Sequence, residues 1–151
     1  MSDPNQQKIN DIIVKYGLHP DWIYVKHGVR FIKKIGIDKL AIGIGSPIDM
    51  QLAHISDHAV VIKATVVVNT VKFTVFGEVS PQNNKFPYPV AVAEKRARSR
   101  VLLSALGLHG FLFGEDEIDF VVQANKLLDA RAKAAKDSED NLLNKIKEKK
   151  K

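Results

Sequence analysis

At 151 residues the chain suits one domain with a short tail, and its lack of cysteine excludes disulfides, thiolate zinc sites and cysteine nucleophiles. Twenty-three basic and 17 acidic residues leave a formal charge of +6, which favours anionic partners, nucleic acid first, through phosphate neutralisation and counterion release. No apolar run approaches the ~20 residues that cross a bilayer, and "MSDPNQQKIN" lacks the basic-then-apolar layout of a secretory signal; a cytoplasmic protein of a bacterium or virus, with no membrane partner, is the economical expectation.

Ile9, Ile12, Ile13 and Tyr16 recur at helical spacing, so residues 5–16 are expected as a helix stopped by Gly17. "LHPDW" reads as a turn. Two β-rich runs, Trp22–Lys26 and Val29–Lys34, flank His27-Gly28 and predict a tight hairpin carrying Lys26, Arg30, Lys33 and Lys34. Leu40, Ala41 and Ile44 suit a short helix ended by the glycines and Pro47. Strands follow over 58–68 and 71–79, with Asn69-Thr70 as their turn. Prolines at 81, 87 and 89 mark "PQNNKFPYP" as a connector outside the sheet.

A long helix is expected from about Val90 to Leu106, and another after Glu115, Asp116 and Glu117, acids suited to the positive end of a helix dipole. Residues 1–133 then form one domain. The stretch 134–151, with six lysines and four acids, reads as a fraying helix or disordered tail. Strands clustered together with helices outside them give an α+β fold with an antiparallel sheet.

The helix over 90–106 carries the strongest functional signal. Lys95, Arg96, Arg98 and Arg100 crowd its first half, while Val101, Leu102, Ala105 and Leu106 make its second half core-like. At 100° per residue, Ala93, Ala97, Ser104 and Gly107 form a stripe of small residues that lets a helix sit close to a sheet. Arg96 and Arg100 flank that stripe, and their planar forks suit phosphate. With the basic hairpin in the same sheet, they are expected to line a groove for a single strand of nucleic acid. A pair between Glu94 and Arg98 is also expected.

The run "GEVSPQNNKFPYPVAVAEKRARSRVLLSALGLHG" resembles the core signature of the single-strand annealing superfamily, which includes the recombination mediator Rad fifty-two and the phage proteins Sak and Erf. The likeness rests on Gly77, Glu78, Val79 and Ser80, then on Ala93, Glu94, Arg96, Ala97 and Arg100, and extends in layout over about residues 22–117. Leu103 stands where the eukaryotic members carry a further arginine. The resemblance implies a β-β-α-β-β-β-α domain that assembles into rings or filaments, holds single-stranded DNA in a basic groove and pairs complementary strands without nucleotide hydrolysis. By position Arg100 is its first candidate for a backbone contact and Arg96 the second. Lys95, Arg98, Lys26, Arg30, Lys33 and Lys34 are candidates from charge and placement. A single-strand binding protein or an exonuclease is a further candidate partner. No cofactor and no enzymatic activity are expected.

Rival readings have less behind them. A non-annealing structural or accessory oligomer could use the same fold. His54, Asp57 and His58 have a metal-like spacing, but turn residues often do. Phe73 and Phe76 suit a strand core, whereas Phe86 and Tyr88, in the connector, are harder to dismiss as base-stacking groups.

Overall fold

Asp3 starts the first helix by accepting the Asn5 N–H at 2.9 Å, and α1 runs Pro4–Tyr16 until Gly17, at φ 63°, closes it. The computed structural model describes residues 3–149. A 3₁₀ turn over Pro20–Trp22 leads into β1 (Ile23–Lys26) and β2 (Val29–Ile32). Both residues of the intervening turn, His27 and Gly28, have positive φ, as a tight right-twisted hairpin requires. Next come α2 (Lys34–Ile44), β3 (Asp49–Ile55), β4 (Val60–Val68) and β5 (Val71–Val79), with positive φ again at Asn69 and Thr70. The remaining elements are α3 (Pro89–Ala105), a two-residue β6 (Phe113–Gly114), a 3₁₀ turn over Glu115–Glu117, and α4 (Ile118–Glu148).

The fold is α+β, with its strands in two three-stranded sheets. In one, β3, β4 and β5 are antiparallel in that order; in the other, the β1–β2 hairpin takes β6 as a parallel neighbour of β2. The expectation that the hairpin shares the main sheet is thereby corrected: β2 pairs instead with Phe113 and Gly114 through Phe31 and Ile32.

Alternation on β4 is strict: Val60, Ile62, Ala64 and Val66 are buried beneath α3, and Gly77 and Val79 continue that face on β5. The small-residue stripe holds in its first half, where Ala93 and Ala97 are buried; Ser104 is half-buried and Gly107 exposed. A Cβ at Gly77 would lie 2.3 Å from the Ala93 carbonyl oxygen and 2.4 Å from the Ala97 nitrogen, so helix backbone rests directly on strand backbone. One turn on, a Cβ at Gly114 would lie 2.6 Å from Ser99 Oγ. Val101, Leu102 and Leu103 complete the buried surface of α3.

Contacts divide the chain into two units, Met1–Asp119 and Phe120–Lys151. Within the second, α4 stays helical through 134–148, where the charged tail was expected; positions 150 and 151 lie outside the described residues. Among the described residues no helix is long and apolar enough to cross a membrane.

Candidate nucleic-acid interface

The first two candidate contacts turn inward. Arg96 is 1% exposed. Its Nε donates to the Asp116 carbonyl at 3.1 Å, Nη1 to the Glu78 carbonyl and to Asn83 Oδ1, both at 2.9 Å, and Nη2 to the Asn83 carbonyl at 2.7 Å. Burial lowers the pKa of this guanidinium. One side chain thus ties α3 to β5, to the connector and to the turn over Glu115–Glu117. The expectation that Arg96 lines an open groove is corrected accordingly: the small residues Ala93 and Ala97 bring α3 so close to β5 that the flanking side chain is enclosed.

Arg100 is largely enclosed as well. Its Nε and Nη2 donate to the Glu117 carboxylate, and Nη1 donates at 2.7 Å to both Glu78 Oε2 and the Phe76 carbonyl. Burial opposes its charge, but Glu117 and then Glu78 outweigh that and raise its pKa. Arg100 is therefore held by carboxylates within the fold and does not present its fork to a phosphate. Glu117 is not a helix-dipole acid, as the sequence suggested, but a buried counter-ion with a side chain 2% exposed.

Arg98 pairs with Asp38 on α2, where a pair with Glu94 was expected. Asp38 also accepts Lys34 Nζ at 2.7 Å, and Lys34, then Arg98, lower its pKa. Arg30 bridges to Asp3 at 3.1 Å. Lys26 at the hairpin turn, Lys33 ahead of α2, and Lys34 and Lys95 are all exposed.

Two of these cations, far apart in sequence, converge. Lys34 at the start of α2 and Lys95 on α3 line one cleft of about 360 Å³ together with Phe86, Tyr88, Val92 and Arg96 and the acids Glu115, Asp116 and Asp119. Glu115 accepts the Lys34 backbone N–H at 2.6 Å, which fixes the start of α2 against the turn over Glu115–Glu117. Desolvation raises the Asp116 pKa against the opposing pull of Lys95. The connector holds the aromatic pair in place. Asn84 accepts the Phe86 N–H at 3.1 Å and returns a bond to the Phe86 carbonyl at 2.9 Å. The rings of Phe86 and Tyr88 stack with centroids 5.5 Å apart and planes 19° from parallel.

The sequence pointed to the lysines and to the aromatic pair, but not to Glu78, Asn83, Asp38 and Glu117 as the partners that take up three of the four candidate arginines. Arginines four apart beside a small-residue stripe are the signal that could have found them, since such a stripe implies close enclosure. The histidine cluster disperses: His54 lies on β3, while Asp57 and His58 sit in a turn where Ser56 Oγ accepts the N–H groups of His58 and Ala59.

Comparison with known proteins gives no match to this chain, whether with family models, with curated proteins or with solved structures.

Proposed function

We propose that this protein binds single-stranded DNA and promotes annealing of complementary strands in recombination or repair, as a non-enzymatic homo-oligomer. The observation that carries the reading is the meeting of Lys34, Lys95, Phe86 and Tyr88 in one cleft, a combination of cation and π-face that suits an unpaired strand. The order β1-β2-α2-β3-β4-β5-α3 agrees with what the single-strand annealing resemblance implies. The formal charge of +6 adds a general attraction for phosphate. Lys26, Lys33, Lys34 and Lys95 are the phosphate contacts in this reading; Arg96 and Arg100 serve it only by holding α3, β5 and the connector together.

Self-association has a physical basis in the main sheet. β3 and β5 are its edges. Two carbonyls of β5, at Phe76 and Glu78, already accept guanidinium donors, which discourages another strand there. β3 forms the opposite edge, and its residues are mostly exposed.

A second reading, a structural or accessory oligomer that does not anneal, draws support from the enclosure of Arg96 and Arg100. Binding of a labelled single-stranded oligonucleotide across a salt series separates the two. The annealing reading expects tight binding at low salt that weakens as salt rises; absence of binding at low salt rejects it in favour of the second.

A further inference from the structure

The cleft lined by Lys34 and Lys95 carries no excess of positive charge, so a phosphate is held better by the exposed ammonium groups than among the cleft's carboxyl groups. Its lining cations Lys34, Lys95 and Arg96 are matched by Glu115, Asp116 and Asp119, so its formal charges cancel. A phosphodiester entering it would meet three carboxyl groups. A nucleobase would meet something else: a neutral, flat ligand with donors on its edge finds both carboxylate acceptors and a stacked aromatic pair among the lining residues. Phe86 and Tyr88 are 53% and 49% exposed, which is unusual for stacked rings with so much apolar area. Pro87 and Pro89 bracket Tyr88 and restrict the backbone, and Asn84 bonds the connector on both sides of Phe86. The pair is therefore ordered before any ligand arrives, which lowers the entropy lost on stacking.

We infer that this cleft receives an unpaired nucleobase, stacked on the Phe86–Tyr88 pair, while the phosphates run outside it along exposed lysines. The inference rests on the proposed single-strand binding. It adds a basis for choosing single strands over duplex, because a base reaches the rings only when it is out of the helical stack.

Fluorescence anisotropy with a labelled oligonucleotide, and with an abasic strand of equal length and charge, tests it on the full-length protein. Wild type should bind the base-bearing strand at least about fivefold more tightly, in line with a single aromatic–base stack. Phe86→Ala/Tyr88→Ala should bring the base-bearing strand to the level of the abasic one and leave abasic binding unchanged. Tyr88→Leu, a milder change, should lose part of the discrimination and Tyr88→Phe should keep it, so a misfolded double variant does not end the test. Phe76→Leu alters an aromatic on the sheet face away from α3 and should change neither affinity. Equal wild-type affinity for the two strands, or a Tyr88→Leu loss equal for both, overturns the base site while strand binding stands. Failure of wild type to bind either strand overturns strand binding and the base site together.

Discussion

Arg96 and Arg100 are one helical turn apart, yet their surroundings act on them in opposite senses. Around Arg96 the nearest acceptors are mostly backbone carbonyls, so desolvation prevails and its pKa falls. Around Arg100 two carboxylates prevail and its pKa rises. Removal of either leaves enclosed partners behind. Arg100→Ala strands Glu117, whose side chain is 2% exposed, and should destabilise by about 3–5 kcal/mol in urea denaturation. Arg96→Ala takes the guanidinium donor from three carbonyls, while Asn83 Oδ1 keeps the Ser80 N–H, and should cost about 3 kcal/mol or more. Arg100→Ala should leave the affinity of the folded fraction for single-stranded DNA unchanged, since Arg100 does not line the cleft. Lys95→Ala should do the reverse, weakening DNA binding at low salt while stability stays within about 0.5 kcal/mol. Asp116 gives a pH signature. Its folded-state pKa is raised, so the folded state holds more protons than the unfolded chain between the ordinary aspartate value of 3.8 and the raised one. Stability from this group therefore grows as pH falls through the raised pKa and is lost as pH rises through it. Asp116→Asn should stabilise the protein at neutral pH, and the gap to wild type in thermal unfolding should narrow toward acid pH.

Among the elements, α3 and β5 determine the rest through one close approach. Glycine is the residue type that fits under the Ala93 carbonyl, and Gly77→Ala should lower stability by about 3 kcal/mol, the upper end of overpacking costs, measured by urea denaturation, because backbone rather than a flexible side chain must yield. That approach was legible: Ala93 and Ala97 share a face by periodicity alone, and both hairpin turns could be read from His27-Gly28 and Asn69-Thr70. β3 was not. As an edge strand it shows almost no inside–outside contrast, and an irregularity between Leu52 and His54 breaks the period of two that would mark it. β6 is two residues long and leaves no pattern. The inward turn of Arg96 was hidden for a different reason: its partners, at 78, 83 and 116, are distant in sequence, and most of them are backbone groups without a side-chain signature. The cleft was half legible, since Lys34, Lys95, Phe86 and Tyr88 could each be singled out but not brought together.

For the molecule as a whole, the positive balance is spread along the sequence over hairpin, helices and C-terminal residues. In the proposed reading, annealing depends on many subunits holding one strand in series, each offering a few lysines and the proposed base cleft. Mass in solution, by light scattering, should accordingly correspond to an assembly of many subunits once a long oligonucleotide is added, and a monomer under both conditions would argue against the oligomeric part of the proposal. The most direct test of the central claim is the pairing of two complementary strands, one with a fluorophore and one with a quencher, mixed with the protein at low salt without nucleotide or metal. The account predicts quenching much faster than for the strands alone, slowed by Lys95→Ala and by Phe86→Ala/Tyr88→Ala. A rate equal to that of the strands alone, with protein in excess and folded, would contradict it.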